Sequence, residues 1–429
     1  MNLWSDFPIP STNDWKKKLK NDLKNNDLSS LSWKHSIGDI DPLIDHNTNS
    51  EFFLKPSKLK SLSWKIDHSN YTNSIVLKTL SYGINSLIFE NIPYNETVFK
   101  DVMHEIIFQN VLINYTSNEE TTSSWVKWIK NNYSKCEGSL RFDPIQFAIK
   151  NEFQEMELSH QLDNWKNLIN DLSKTNYSCI YVDGAVYGEA LANTEEEVAY
   201  ILAHTNEYIE LLKASKQNYP NKLIIKVGVS PKYLIELGKI RALRFLIQQI
   251  FKHHNIAINI DIECVNNNAY FNPIDKESNL MRFTTSYMTA MNGGCDSIEI
   301  TDYLNEDPNE EYSKNISTNI ALILKEESHL DKVSDPAKGS YYIESITKSI
   351  IEKSWNLFLT IEKVGGWINY LKSSEAHNKC ELNKKNMVKS LQKNESNIIG
   401  FNKYSNFPLD FNKDLDLKGF NPFNLNMFA

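Results

Sequence analysis

The chain has 429 residues, of which 41% are hydrophobic and 11% aromatic, so it can bury the core of a large globular protein. Its 46 basic and 54 acidic residues leave a net charge of −8, which gives no electrostatic support for binding nucleic acid. No apolar run is long enough to cross a membrane. The five cysteines form no Cys-x-x-Cys pair and the N-terminus shows no signal-peptide pattern, so we expect a protein of the reducing cytoplasm.

Residues 1–55 are predicted to form an arm that precedes the main domain. A helix is expected from about Asn13 to Lys24, because Trp15, Leu19 and Leu23 recur on one stripe at helical spacing. Polar sequence with scattered aromatic residues follows this helix.

From residue 56 to 366 short apolar runs alternate with helical patterns. This alternation predicts a parallel sheet, and eight repeats predict a closed (β/α)₈ TIM barrel. An open doubly wound sheet is the alternative, although such sheets usually have fewer units. The eight runs expected to be strands are Leu62–Ile66, Ser86–Phe89, Val111–Asn114, Ser139–Phe142, Cys179–Asp183, Leu223–Val229, Ile258–Val265 and Ser297–Ile300.

Two helix starts carry recognisable signals. Thr194 and Glu197 have the spacing of a capping box, which predicts a helix from Thr194 to Lys216. Ser230-Pro231 is predicted to begin the next helix, with serine as the cap and proline at the first helical position.

Residues 367–429 are predicted to be a helical extension that ends near Asn394, followed by a tail. The tail after Gly400–Tyr404 is rich in Asn, Phe, Pro and Asp and is too short and irregular to form a domain. We expect it to lie on the barrel or on a partner.

Acidic residues at the ends of the predicted strands are the candidates for chemistry, because catalytic groups of such barrels lie at the C-terminal ends of strands. Converging carboxylates there could hold a divalent metal or act as an acid/base pair. The sequence favours the simpler interpretation, in which they are solvated or cap helices, because no histidine lies near them. The candidates are Asp183, Glu263, Glu299 and Asp302.

The segment Lys325–Gly366 resembles the end of the barrel domain of the methylmalonyl-CoA mutases. It contains Asp335-Pro336, Gly339-Ser340 and a helix that Gly365-Gly366 ends. The resemblance implies that this loop and helix close the last unit of the barrel. Further segments that resemble the family in the same order are Trp15 with Lys20–Lys24, Gly188–Asn193, Glu236–Arg244 and Asn279–Ser297.

The resemblance also locates a departure from the catalytic subunits of that family. In those subunits a Gly-Tyr-His sequence precedes Met-Gln-Glu-Ala-Gly-Ala, and the histidine contacts cobalamin and the substrate thioester. The corresponding run here is Gly184–Glu189, and Val186 occupies the histidine position. Valine can neither donate a hydrogen bond nor exchange a proton, so we expect no catalytic residue there.

Two strands differ from those of the catalytic subunits, and both differences argue against coenzyme A binding. Inward-facing serines of the fifth strand leave an axial tunnel for coenzyme A in catalytic subunits, whereas this chain has Cys179, Tyr181 and Asp183 at those positions. We therefore expect a filled, closed barrel. After the seventh strand the family has Arg-Thr-His-x-Gln-Thr-Ser-Gly, where this chain has Asp261–Asn268, whose two acids would repel coenzyme A phosphates.

Together these features predict the small, non-catalytic subunit of a heteromeric methylmalonyl-CoA mutase. The family's Asp-x-His-x-x-Gly cobalamin motif does not occur in the sequence, so we expect a large catalytic partner to bind adenosylcobalamin and the acyl-CoA. No cofactor or metal is expected on this chain. The alternative is an independent barrel enzyme that uses Asp183 and Glu263 on an unknown substrate. A barrel served by a separate cobalamin domain is disfavoured by Val186.

Overall fold

The computed structural model describes residues 11–23, 28–41, 44, 57–67, 71–92, 94–116, 119–132, 136–150, 154–178, 180–304, 310–405, 407–411, 413 and 415–428. Its centre is a ring of eight parallel strands, and the ring closes through the fifth. The strands are Ser61–Ile66 (β1), Ser86–Glu90 (β2), Leu112–Thr116 (β3), Glu137–Arg141 (β4), Tyr177–Ser178 with Ile180–Asp183 (β5), Lys222–Val229 (β6), Asn259–Asn266 (β7) and Ser297–Ile300 (β8).

The two parts of β5 connect opposite sides of the sheet. Tyr177–Ser178 pairs with β4, and Ile180–Asp183 pairs with β6. On the far side β8 pairs with β1, with Ser297 opposite Ser61. The predicted TIM barrel is therefore confirmed, and the open sheet is wrong.

A helix follows each strand and covers the outside of the barrel. These helices are Asn73–Ser81 (α1), Glu96–Val102 (α2), Glu119–Asn132 (α3), Glu155–Leu172 (α4), Thr194–Ala214 (α5), Tyr233–His254 (α6), Ser278–Gly293 (α7) and Glu310–Leu322 (α8). Short helices, Pro144–Lys150 and Ala185–Glu189, precede α4 and α5. Among the described helices, none is both long and apolar enough to cross a membrane.

Alternation along the strands separates two environments. In β6 and β7 the buried Ile225, Val227 and Ile262 belong to the apolar core between sheet and helices. The alternate positions, such as Lys226 and Glu263, face the barrel interior, because successive strand side chains point to opposite faces. The same pattern gives the barrel an apolar outside and a polar axis.

The helix Tyr341–Lys363 (α9) lies against α5 and α6, in a second outer layer. This position corrects the expectation that it closes the last barrel unit, since α8 follows β8. Gly238 of α6 permits the close approach, because a Cβ there would lie 2.7 Å from Ile346 Cγ2. Arg241 of α6 then pairs with Asp335 at 2.9 Å and with Glu344 at 2.9 Å.

The predicted start of α5 at Thr194 is confirmed, but its capping box and the start of the next helix are displaced. The capping box of α5 forms one residue earlier, between Asn193 and Glu196, and leaves Glu197 for another contact. The next helix begins at Tyr233, and the hydroxyl of Ser230 donates to Glu236 instead of capping. Glu197 pairs instead with Lys239 of α6, and Ser230 bonds to Glu236 in the helix that it was expected to cap.

The described part of the N-terminal arm contains a helix, a short 3₁₀ helix at Leu28–Leu31 and a hairpin. Its helix, Thr12–Asp22, agrees with the prediction but has no buried residue, and Trp15 is 40% exposed. A hairpin of Trp33–His35 and Gly38–Ile40 follows, and its Ser36 carbonyl accepts a hydrogen bond from Lys353 of α9. Residues 1–10, 24–27, 42–43 and 45–55 of the predicted arm lie outside the described residues.

The C-terminal extension packs on its own barrel. Helices Trp367–Lys372 (α10) and Glu375–Gln392 (α11) precede the tail. The Lys384 ammonium donates to the carbonyls of Lys418 and Asn421, which ties the tail to α11. The tail also contributes to a second buried apolar cluster of Leu191, Ala269, Leu391, Ile398, Phe401, Phe423, Leu425 and Phe428.

Two carboxylates meet where α9 ends. Glu207 of α5 accepts hydrogen bonds from the backbone of Trp367 and Ile368, and the side chain of Asn206 donates to Glu362. Burial and the neighbouring charge of Glu207 raise the pKa of Glu362 to about 7. The folded protein therefore holds a proton on Glu362 that the unfolded chain releases at lower pH.

We predict that Glu362→Gln stabilises the protein more at pH 8 than at pH 5. A carboxyl whose pKa is raised by folding supports stability at low pH, and that support is lost as the pH rises through the folded value. Glutamine does not ionise, so the Glu362→Gln variant does not lose this stability as the pH rises. Thermal unfolding at the two pH values measures the effect, with the exposed Glu352→Gln on α9 as control. Equal shifts of melting temperature at both pH values would contradict the prediction.

Candidate functional site

Two cavities lie at opposite ends of the barrel axis. The C-terminal cavity, about 720 Å³, is lined by Asp183, Glu299 and Asp302 among others. The N-terminal cavity, about 480 Å³, is lined by Glu263 and by the first residues of several strands. The structure therefore brings three of the four predicted carboxylates to one end and places the fourth at the other.

Glu263 forms a buried ion pair with Arg141 of β4. Two parallel hydrogen bonds of 2.8 Å join the guanidinium to both carboxylate oxygens, and the side chains are 4% and 1% exposed. The paired arrangement is the strongest geometry for these groups. Both charges are satisfied by each other, so Glu263 is not available as a base or a metal ligand.

Glu299 is held in the same way by two lysines. Its carboxylate lies 2.6 Å from the Lys226 ammonium and 3.6 Å from that of Lys65. Lys65 also pairs with Glu90 at 2.8 Å. Burial alone would raise the pKa of Glu299, but the charges of Lys226 and Lys65 outweigh burial and hold it well below its usual range. Glu299 therefore stays ionised and cannot deliver a proton near neutral pH.

Asp183 and Asp302 contact the backbone beside them. The Asp183 carboxylate accepts from the N–H of Ala185 at 3.2 Å, and Asp302 accepts from the N–H of Leu304 at 2.8 Å. Such contacts are those of turn and helix-start residues. Among the residues that the structure describes, no group of three or more His, Cys, Asp or Glu side chains could hold a metal ion.

Hydroxyl groups continue the polar network toward the N-terminal cavity. Ser63 donates to Ser86 at 2.9 Å, and the Asn114 amide donates to Ser86 at 2.9 Å. Ser139 donates to Asn114 at 2.8 Å and accepts from Arg141 at 3.1 Å. The chain of hydrogen bonds links β1, β2, β3 and β4 to the ion pair.

Arg141 separates the two cavities, since it lines both. Its guanidinium lies over the ring of Tyr181, 5.5 Å from the centroid. Burial raises the pKa of the Tyr181 hydroxyl well above its usual value, so the ring is a neutral filler. The predicted filling of the barrel by Tyr181 is confirmed, whereas Cys179 lies outside the described residues.

The acids expected to repel phosphates are both neutralised. Glu263 pairs with Arg141, and Asp261 pairs with Lys60 at 2.6 Å and with Lys222 at 2.8 Å. The expected repulsion is therefore wrong. Paired charges close the interior, and neither Glu263 nor Asp261 leaves an unpaired negative charge that would repel a phosphate.

Val186 lies in the short helix Ala185–Glu189. Its neighbours Ala185 and Glu189 line the C-terminal cavity, whereas Val186 is buried in the apolar core. The position to which the resemblance assigns a histidine thus contributes no polar group to the cavity.

Arg141 and Lys226 are the residues that sequence reasoning missed. Both stand at inward-facing positions of strands whose outward positions are apolar, next to Leu140 and Ile225. A charged residue inside an apolar strand run was the available signal, because such a group needs a buried partner.

A family model described as methylmalonyl-CoA mutase matches residues 96–422. The chain belongs to this family. It is 25% identical to a methylmalonyl-CoA mutase small subunit of Porphyromonas gingivalis, over 94% of this chain and 71% of that protein. It is 24% identical to the small subunit of Propionibacterium freudenreichii, over 69% of this chain and 48% of that protein. The large subunit of the same organism is 26% identical over 53% of this chain and 32% of its own length.

Three of the segments that resemble the mutase family meet outside the barrel. Arg241 pairs with Asp335 and Glu344, and Arg244 pairs with Asp296. These contacts join α6 to α9 and to the start of β8. The segments that resemble the family therefore supply these ion pairs, here called the brace, which hold α9 and the start of β8 against α6.

We predict that Arg141→Met destabilises the fold by about 3–5 kcal/mol, because it leaves Glu263 buried without a partner. The double variant Arg141→Met/Glu263→Leu is expected to recover most of that loss, since no charge remains buried. Urea unfolding measures both. Lys18→Met, which removes an exposed pair with Asp22, is the control and costs less than about 0.5 kcal/mol. A double variant no more stable than the single would contradict this account.

Proposed function

We propose that this chain is the small, non-catalytic subunit of a heteromeric methylmalonyl-CoA mutase. Its larger partner would bind adenosylcobalamin and interconvert methylmalonyl-CoA and succinyl-CoA. The observation that carries the proposal is the closure of the barrel axis by Arg141 and Glu263. The role of this chain would be to stabilise and position the catalytic chain.

Closure of the axis argues against substrate binding in this barrel. The resemblance implies that the acyl-CoA of catalytic subunits occupies an axial tunnel. Here Arg141, Glu263 and Tyr181 occupy that space. Opening it by separating the buried pair would cost about 3–5 kcal/mol, which lowers affinity by about 10²–10⁴-fold.

The residues at the C-terminal face do not fit a cobalamin site. Val186 stands at the position of the family's histidine and is buried among apolar side chains. Glu299 and Lys226 neutralise each other, so neither is available to hold or move a proton. We therefore place adenosylcobalamin on the partner chain, and the cofactor supplies the radical chemistry there.

The arm supplies the surface that supports a partner. The helix Thr12–Asp22 presents Trp15 and Leu19 on one stripe without burying either. The tail, by contrast, places Phe423 and Phe428 against its own barrel. We therefore assign the contact with the large subunit to the arm. The relatives named small subunit and large subunit agree with a partnered chain.

The second candidate is an independent barrel enzyme. The observation that favours it is the C-terminal cavity, which lies where barrel active sites lie and contains Asp183 and Asp302. The ion pairs of Glu263 and Glu299 weaken it, because they remove two of the four candidate carboxylates from acid/base chemistry.

We predict that co-expression with the large mutase chain of the same organism gives a stable heteromer with adenosylcobalamin-dependent mutase activity. Size-exclusion chromatography with light scattering and a mutase assay measure this. Trp15→Ala/Leu19→Ala should weaken association at least about 10-fold, whereas Lys17→Ala on the exposed face should not. If the chain remains monomeric when it is co-expressed with the large mutase chain, the proposal is wrong.

We predict that Asp183→Asn leaves the mutase activity of the assembled heteromer within about twofold, since the chain contributes no catalytic group. Activity and assembly are measured on the same preparation. A loss of activity of about 10-fold or more with assembly intact would contradict the non-catalytic role.

A further inference from the structure

The C-terminal cavity has a volume and a position that suit a ligand, although the mutase partnership gives it no task. Its volume of about 720 Å³ lies within the range of small-molecule sites. It opens at the end of the barrel where ligands of this fold bind. Six acidic and five basic residues contribute to its lining. What the cavity can bind depends on which of these charges the protein already pairs.

The cations at the floor of the cavity are already engaged. Arg141 is paired with Glu263, and Lys65 and Lys226 both pair with Glu299. These groups match one another within the wall. The floor therefore offers no spare positive charge to an anionic ligand.

The charged groups nearer the mouth include one more satisfied acid. Asp143 accepts a hydrogen bond from the Tyr208 hydroxyl at 2.6 Å and lies 3.1 Å from the ring of His204. The ammonium of Lys314 lies 5.6 Å from the centre of the Trp64 ring. A fifth cation, on Lys150, is exposed at the rim.

Three carboxylates of the cavity are left without a paired cation. Asp183, Glu189 and Asp302 form no ion pair within the part of the chain that the structure describes. Each accepts one hydrogen bond from a neutral donor. The second oxygen of Asp302, Oδ2, is buried and has no hydrogen-bond partner among the described residues. A buried acceptor in this state is costly unless a donor binds to it.

Tyr181 gives the cavity a further unused polar group. Its side chain is 5% exposed, and the guanidinium of Arg141 lies over its ring. In the described ranges the Tyr181 hydroxyl has no hydrogen-bond partner, and the residue lines this cavity. Phe142 and Phe147 add further aromatic wall. The site therefore combines free acceptors with apolar surface.

Neighbouring carboxylates on one side of the cavity disfavour each other's charge. Burial first, and then the charge of Asp183, raises the pKa of Glu189. The charges of Lys150 and Lys226 act in the opposite direction without reversing this rise. A positively charged ligand beside Asp183 and Glu189 would relieve the repulsion and favour the ionised form of Glu189. The cavity therefore favours a cation, whose binding releases the proton that Glu189 holds.

The three carboxylates stand on two sides of the barrel mouth. Asp183 ends β5 and Glu189 lies in the short helix after it, whereas Asp302 follows β8. In the ring, β6 and β7 separate β5 from β8 on one side and four strands separate them on the other. A ligand with a positive group at each end can reach both sides.

We propose that the C-terminal cavity binds a small aliphatic diamine. One ammonium group lies beside Asp183 and Glu189, and the other donates to Oδ2 of Asp302. The methylene chain packs against the aromatic wall. An organic cation is favoured over a metal ion, because the described residues contain no group of three or more His, Cys, Asp or Glu side chains that could hold one. This binding goes beyond the mutase partnership and requires no reaction.

Calorimetric titration of the purified full-length chain with putrescine tests the proposal. We expect one site per chain with a Kd below about 1 mM. Butylamine, which has the same carbon chain and one amino group, should bind at least about 10-fold more weakly, and so should the corresponding neutral diol. Titrations in buffers of different ionisation enthalpy should show proton release on binding.

Carboxylate-to-amide variants test the two ends of the site. Asp302→Asn should weaken putrescine binding at least about 10-fold and remove the preference for putrescine over butylamine. The double variant Asp183→Asn/Glu189→Gln should weaken it at least as much. Asp101→Asn, on the exposed surface of α2, is the matched control and should bind as the wild type does. Each amide keeps an oxygen that can accept the existing hydrogen bond, and circular dichroism melts check the fold.

Several results would overturn the proposal. They are no binding at about 10 mM putrescine, binding at many sites per chain, or a wild type that binds butylamine or the diol as tightly. Folded variants that bind putrescine as well as the wild type would overturn it too. The comparison of ligands on the wild type does not depend on the variants folding. Because the large mutase chain is absent from these titrations, their outcome is independent of whether the two chains associate.

Discussion

The buried pair of Arg141 and Glu263 is the constraint on which the interior of this barrel depends. Removing two charges from water is costly, and only the paired geometry with its extra bond to Ser139 offsets that cost. Once present, the pair must stay closed, because moving either side chain leaves the other charge unpaired. The axis of the barrel is thus blocked by the interaction that stabilises its centre.

A second layer of charges reinforces the first from the C-terminal side. Lys226 stands beside Glu263 in the strand register and pairs with Glu299 across the interior. Lys65 extends the layer to Glu90 at the rim. Glu263 and Glu299, which look like catalytic acids in the sequence, are therefore structural here, because each pairs with a cation within a few ångströms.

The likeness to the mutase family and the function of this chain rest on different parts of the molecule. The best-matching segments form the brace of Arg241 with Asp335 and Glu344, which fixes α9 on α5 and α6. A brace of this kind suits a catalytic and a non-catalytic barrel equally. What distinguishes the two is the interior, where Tyr181 and Arg141 fill the axis.

The sequence by itself determined the eight strand–helix units, the family, and the absence of a polar group at Val186. These follow from local periodicity and from motifs that are contiguous in the chain. It also pointed to Glu263 and Glu299 but misjudged them, because their partners Arg141 and Lys226 lie on other strands. The same reason displaced the capping box of α5 to Asn193 and Glu196 and freed Glu197 for Lys239. Only the tertiary structure decides which charges meet, since closing the ring brings together residues far apart in the chain, and burial then makes each pairing obligatory.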